Sequence, residues 1–299
     1  ISKVCDSTFK QCKSLLYTNL PDTIESIGND AYYKCESLKV IAIPTNTKTI
    51  GNNAFYECKS LSSVVLNCNL NTIGNYAFKG CPIESIDIPD LVLSIGEYSF
   101  ANCEELKSIK ISKKMKSIGK YAFESCSSLT QVIIPESVSV IEERAFMDCV
   151  SLKTIDIYHI VKIEKAAFKG CVNLKIVNMH DIETIRGDAF SGCESLKEIK
   201  LPEKLKRIGG YTFSCCSKLV EIQIPEKVNY LGEGAFNECK KLKRIKIPDS
   251  ISSIKDSCFV NCSSIEKIEL PLELESIGVA AFAGCSSLIS IDIPATIDH

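Results

Sequence analysis

The sequence contains no tryptophan and only three histidines, and each scarcity limits the classes of fold or function that the protein can have. With 12 Phe and 10 Tyr among 299 residues, a core must be built chiefly from Ile and Leu. No apolar run reaches the ~18 residues that a membrane-spanning helix needs. Neither GxxxxGK[ST] nor GxGxxG occurs, so no phosphate-binding loop is indicated. Net charge is -2 without a basic run, which argues against a nucleic-acid partner.

The first residues also do not have the pattern expected of a signal peptide. The first residues, ISKVCDSTFKQC, contain no basic segment followed by an apolar run, and no initiating Met. Both ends of the chain fall inside a repeating pattern, without recognisable caps. We therefore expect residues 1–299 to form a single repeat domain, cut from a longer protein.

An aromatic residue followed three places later by a cysteine recurs along the whole chain, 22 or 23 residues apart. The aromatic positions are Phe9, Tyr32, Phe55, Phe78, Phe100, Phe123, Phe146, Phe168, Phe190, Phe213, Phe236, Phe259 and Phe282. Thirteen registers in a row define a repeat protein.

A representative unit, residues 117–138, reads SIGKYAFESCSSLTQVIIPESV. Its β-branched segment 129–134 predicts a strand ended by Pro135, since proline cannot donate to a sheet ladder. The aliphatic positions expected to face inward are Leu129, Val132 and Ile134. Gly119 is interpreted as a tight backbone bend, and the Ala-Phe pair supplies buried side chains.

Stacked units would bury apolar faces that no unit can bury alone. Neighbouring parallel strands should lie about 4.8 Å apart. The fold class expected is therefore an α/β repeat solenoid, a curved array of about thirteen units. It would have a parallel sheet on one face and short helical turns.

The strings IGNNAFYECKSL, IGKYAFESCSSL and IGVAAFAGCSSL, each followed by an I-x-I-P-like strand, resemble BspA-like leucine-rich repeats. The resemblance covers essentially the whole chain. It implies a solenoid, secreted or displayed at a cell surface, that attaches to host proteins or to other cells. It brings no catalytic motif and no cofactor, so we expect a non-enzymatic protein-binding scaffold. The alternative is a structural spacer that projects another domain from a surface.

Thirteen of the 17 cysteines stand one per unit rather than in CxxC pairs, which excludes zinc-ligand spacing. We expect these thirteen to be buried thiols that act as small apolar side chains. Cys258 is expected to be buried as well, and Cys68 to be exposed.

The candidate partner-binding site lies where the repeat is irregular. Glu142, Glu164 and Arg186 replace the usual glycine in consecutive units, and the turns after two strands are each one residue short. Local departure from a regular scaffold is where a site can be grafted. The residues proposed for contact are Asp156, Tyr158, His159, Asn178, His180 and Lys200.

Other interpretations of the histidines stay open. His159 and His180 could be turn residues without a special role, or a metal pair with Asp156 and Asp181. His299 is the last residue and is given no role. The outward strand positions could likewise be a solvated sheet face or a protein-binding surface.

Overall fold

The computed structural model describes residues 1–297. A typical repeat makes one coil with two short parallel strands, called here the front strand and the side strand, joined by turns. The chain divides into two compact units, Ile1–Leu152 and Lys153–His299.

In the first unit, the front strands are β3 (Val40–Ala42), β5 (Ser63–Val65), β7 (Ser85–Asp87), β9 (Ser108–Lys110) and β11 (Gln131–Ile133). The side strands are β1 (Lys3–Val4), β2 (Ser26–Ile27), β4 (Thr49–Ile50), β6 (Thr72–Ile73), β8 (Ser94–Ile95), β10 (Ser117–Ile118) and β12 (Val140–Ile141). Every pairing is parallel and joins successive coils: β3–β5, β7–β9–β11, β1–β2–β4–β6–β8 and β10–β12.

In the second unit, the front strands are β13 (Thr154–Ile157), β15 (Ile176–Met179), β17 (Glu198–Lys200), β19 (Glu221–Gln223), β21 (Arg244–Lys246) and β23 (Lys267–Glu269). The side strands are β14 (Lys162–Ile163), β16 (Thr184–Ile185), β18 (Arg207–Ile208), β20 (Tyr230–Leu231), β22 (Ser253–Ile254) and β24 (Ser276–Ile277). They pair as β13–β15, β17–β19–β21–β23, β14–β16–β18–β20 and β22–β24.

Most front strands show the predicted alternation of inward and outward residues, and Leu129 is buried as predicted, whereas Val132 and Ile134 are only partly buried. In β21, Ile245 is buried while Arg244 and Lys246 are exposed. Behind the strands, the aromatic rings stack coil upon coil, from 5.0 Å between the centroids of Phe9 and Tyr32 to 5.8 Å between those of Phe190 and Phe213. The core is therefore a set of continuous columns, with Ile and Leu around an aromatic spine.

The expected helical turns are wrong: residues 1–297 contain no helix. Two residues of a typical coil take left-handed backbone angles, as Tyr121 and Ser125 do at φ 57° each. Such residues interrupt the run of right-handed residues that a helix requires. The N–H of Phe123 instead donates to the carbonyl of Ala145 in the next coil, at 2.9 Å. The turn segment thus joins the ladder between coils.

The side strands are an addition to the predicted single sheet. Most place one residue toward the outside and one Ile or similar aliphatic inward, as in Thr49–Ile50. Because two residues give no measurable alternation, the sequence pattern did not distinguish these strands from turns.

The glycine after the side strand allows two neighbouring coils to pack closely; it does not form the predicted tight bend. Gly51 does not have a positive φ. A Cβ at Gly51 would lie 2.7 Å from the backbone nitrogen of Asn29 and 2.8 Å from its Oδ1. That oxygen accepts a hydrogen bond from the N–H of Asn52, at 2.8 Å. Neighbouring coils approach too closely here for any side chain.

Candidate functional site

Asp156 and Asn178 lie opposite each other at the centre of the β13–β15 pair. Both are outward positions of front strands, and the Asn178 Nδ2 donates to the Asp156 Oδ1 at 2.7 Å. The amide fixes the carboxylate in one orientation. It leaves the second carboxylate oxygen of Asp156 with capacity to accept another hydrogen bond.

Tyr158 and His180 follow these two strands in the same register. Ile157 pairs with Met179, so the next residues along each strand, Tyr158 and His180, are neighbours. The N–H of Asp181 donates to the carbonyl of Tyr158 at 3.3 Å, which ties the two turns together. Tyr158 is 48 % exposed, so its ring is available for contact.

A charged cluster borders these turns. The Asp181 carboxylate takes both a hydrogen bond from Lys204 Nζ, at 2.6 Å, and one with His180 Nδ1, at 3.0 Å. The bond from Lys204, followed by that from His180, holds the pKa of Asp181 below its ordinary value. Lys204, which lies one coil beyond Asp181 in the structure, was not among the predicted site residues.

His159 and Lys200 complete the predicted set. His159 is exposed in the turn after β13. Lys200 is exposed on β17, and its register partner is Gln223 on β19. The structure therefore brings Asp156, Asn178, Tyr158 and His180 together on β13–β15, while Lys200 belongs to the four-stranded sheet that begins with β17.

Within residues 1–297, no group of three or more His, Cys, Asp or Glu side chains is arranged to hold a metal ion. His299 lies outside the described residues. Nor does the described part of the chain contain a helix long and apolar enough to cross a membrane.

The cysteines follow the predicted burial except at the ends of the column. Eleven of the thirteen in the column are buried; Cys12 is exposed and Cys285 is partly exposed. The interior ones are enclosed by coils on both sides, and the thiol of Cys126 donates to the carbonyl of Phe100 at 3.2 Å. Cys258 is buried and Cys68 exposed, as predicted.

Stacked coils with parallel strands and continuous residue columns define the molecule as a leucine-rich-repeat solenoid. Six copies of the BspA type leucine rich repeat region match it, over residues 1–107, 71–197 and 183–299. The chain belongs to the BspA-type leucine-rich repeat family.

Solved structures of bacterial proteins share the fold. A leucine-rich repeat protein from Bacteroides ovatus is 30 % identical, with a TM-score of 0.79, over 96 % of this chain and 81 % of its own. A leucine rich cell surface protein from Faecalibacterium prausnitzii is 28 % identical, with a TM-score of 0.57, over 96 % and 82 %. The pneumococcal vaccine antigen PcpA, at 18 % identity and a TM-score of 0.51 over 99 % and 78 %, is similar in fold alone. No curated protein matches the sequence.

Proposed function

We propose that the chain is a non-enzymatic protein-binding scaffold displayed at a cell surface, where it mediates adhesion to a host or partner protein. Repeat arrays build extended surfaces for contact with other proteins. A relative of 28 % identity is described as a cell surface protein, which supports the location. Adhesion itself rests on the family to which the chain belongs.

The observation that carries the proposal is the group of outward side chains on β13–β15 and its turns, called here the 156–180 patch: Asp156, Tyr158, His159, Asn178 and His180. It combines an oriented carboxylate with an exposed tyrosine. Tyrosine is enriched among the residues that dominate protein interfaces. Lys200, on the next front strand, would extend the contact with a cation.

The experiment is a pull-down with this chain as bait against extracellular-matrix and serum proteins. A variant with Tyr158→Ser, His159→Ser and His180→Ser should bind the recovered partner at least about tenfold more weakly, since truncating an interface anchor costs ~2 kcal/mol or more. A matched control carries Lys227→Ser, Asn229→Ser and Tyr230→Ser, in and beside the turn before β20. It should bind normally.

Normal binding by the first variant and loss in the control would place the contact elsewhere on the chain. Recovery of no partner by the bait would instead favour the spacer. For a spacer, replacement of the outward residues is tolerated, provided the number of coils is kept.

A further inference from the structure

A row of unpaired lysines lies along one edge of the second unit. The residue before the front strand is exposed, because it follows a leucine that faces the core. This residue is lysine in three successive coils: Lys153, Lys175 and Lys197. The N–H of Lys175 donates to the carbonyl of Lys153 at 2.8 Å, so the two residues are direct neighbours. The side chains of the row therefore repeat at the spacing of the coils.

Three further lysines continue the row in the next two coils. Val220 takes the position beside Lys197, and its N–H donates to the carbonyl of Lys197 at 3.0 Å. Lys218 supplies the cation of that coil from the other side of a buried leucine. In the coil after it, lysines flank the buried Leu242. The basic edge is defined here as the six exposed side chains of Lys153, Lys175, Lys197, Lys218, Lys241 and Lys243.

Carboxylates do not balance the charge of the basic edge. In the described part of the chain, none of its six lysines makes an ion pair. Arg244, which follows Lys243 on β21, is also exposed and unpaired among the described residues, and brings these cations to seven. The carboxylates beside them are four, namely Glu194, Glu198, Glu221 and Glu266. The edge therefore carries a local excess of positive charge, although the net charge of the chain is -2.

The basic edge is a line of charge rather than a broad plane. Its five coils, spaced by about 4.8 Å, make a row about 19 Å long. Lysine presents a compact, strongly hydrated charge on a flexible stem, so it pairs with anionic groups without a fixed planar geometry. A linear polymer with an anionic group on each unit would meet successive lysines. These features favour a polyanion that runs across the coils.

The residues around the basic edge distinguish between kinds of polyanion. Proteins that bind single-stranded nucleic acids stack the bases on aromatic side chains. The outward strand residues beside the basic edge include no aromatic residue; they are Thr154, Ile176, Glu198, Glu221 and Arg244. A sulfated polysaccharide has no bases to stack, and its charges can be met by lysines alone.

We propose that the basic edge binds a sulfated glycosaminoglycan chain, whose sulfate groups pair with successive lysines. This deepens the proposed adhesive function, because it rests on display at a cell surface and adds a polysaccharide ligand to the protein partner. The basic edge and the 156–180 patch lie at opposite ends of the same front strands. Lys153 precedes β13 and Tyr158 follows it, about 16 Å further along the strand. Each surface can therefore be altered without the other.

The probe is a fluorescein-labelled heparin oligosaccharide, measured by fluorescence anisotropy over a series of salt concentrations. A hyaluronan oligosaccharide of equal length, which carries carboxylates and no sulfate, should bind more weakly. The variant Lys153→Gln, Lys175→Gln, Lys197→Gln should weaken heparin binding about tenfold, since three charge contacts are lost. It should also lower the slope of log affinity against log salt by about 2, because fewer counterions are released.

The matched control removes three scattered lysines of the first unit, as Lys39→Gln, Lys48→Gln and Lys59→Gln. All three are exposed. Lys39 takes the same position in its coil as Lys153, but its neighbours in the adjoining coils are uncharged. This variant has the same net charge as the first one and should bind heparin normally.

Equal weakening by the two variants, at unaltered melting temperatures, would overturn the proposal, because total charge alone would then determine binding. Hyaluronan binding as tight as that of heparin would overturn it too. So would lysine-dependent binding of a single-stranded DNA, or of phosphatidylserine vesicles, that is tighter than heparin binding. The triple variant in the 156–180 patch should still bind heparin. Loss of the recovered protein partner in that variant, with heparin binding kept, tests the scaffold function separately from the basic edge.

Discussion

Phe123 shows how one residue contributes to a repeat array. Its ring is fully buried and stacks on that of Phe100, at 5.7 Å, and on that of Phe146, at 5.5 Å. Phe123→Ala should lower the free energy of unfolding by about 3–5 kcal/mol, because neighbouring coils cannot collapse into the space. Denaturant titration measures this. A loss below about 1 kcal/mol would mean that the aromatic column contributes little to the core.

The thiols should fall into two classes of reactivity. Twelve cysteines are buried, Cys285 is partly exposed, and Cys5, Cys12, Cys68 and Cys215 are exposed. A thiol reagent added to the native protein should modify the four exposed ones quickly and the buried ones only upon unfolding, since burial hinders both access and ionisation. Thiol counting with and without denaturant is the measurement. Fast modification of most of the 17 cysteines in native protein would show that the cysteine column is accessible to solvent.

The buried thiols also predict a dependence of stability on pH. Burial raises the pKa of Cys103 from its ordinary 9.0 to about 12. Between these values the unfolded chain releases a proton that the folded chain retains, so stability is present below about pH 9 and falls as pH rises. Denaturant titrations at pH 7.5 and pH 10 should show the loss. Cys103→Ala should reduce the slope of the unfolding free energy against pH by about 1.4 kcal/mol per pH unit. An unchanged slope would mean that this thiol ionises equally in the folded and unfolded states.

At the scale of the coil elements, the sequence gives strand positions well and turn conformations poorly. Alternation and Pro135 predicted the front strand, because inward and outward environments differ sharply. The turns were predicted to be helical because local sequence does not show that Tyr121 and Ser125 adopt left-handed angles. Those angles are stabilised by hydrogen bonds to the next coil, which local propensity does not include.

The glycine position depends on the coil before it. Gly51 faces Asn29, whose bent side chain fills the space above it. The corresponding neighbour of Glu142 in the preceding coil is Lys120, and there a side chain is accepted. This missing glycine, which suggested a functional site, is thus associated with a change in packing. It is no independent evidence for binding.

A pair of substitutions tests that packing account. Gly51→Ala should destabilise the protein by about 1–3 kcal/mol, because the new methyl group meets backbone atoms at 2.7 Å. Gly119→Ala should cost less than about 1 kcal/mol, since its nearest neighbour is the carbonyl oxygen of Ile95 at 3.0 Å. Thermal and chemical denaturation give the comparison. Equal effects at the two positions would contradict the account in which the close approach of Asn29 excludes a side chain at position 51.

For the molecule as a whole, the repeat was enough to predict which residues share a face, and so to place Asp156 beside Asn178. The repeat was not enough to predict the ion-pair partner of Asp181. The shortened turn leaves the alignment uncertain by one residue, between Glu203 and Lys204, which carry opposite charges. The ion pair formed is with Lys204. Partner contacts depend on such details of charge, which the period alone does not give.

Because the coils repeat, deletion of one whole coil should be tolerated. Removal of residues 49–71 would place Gly74 against Asn29, as Gly51 is now, and Phe78 against Tyr32. Every column of the first unit then remains continuous. The stability of a repeat array is approximately a sum over coils and their interfaces, so one coil less should lower the melting temperature without loss of cooperativity.

Deletion of residues 49–60 is the control. It removes β4 together with Gly51, Phe55 and Cys58, and leaves the rest of that coil without its aromatic and thiol positions. We expect this half-coil variant to melt broadly or to be unfolded, whereas the whole-coil variant keeps one sharp transition by circular dichroism and differential scanning calorimetry. If both deletions are tolerated equally, the columns do not determine how the coils stack. If only the half-coil deletion disrupts folding, then folding requires the glycine, aromatic and cysteine positions of successive coils to stay in register.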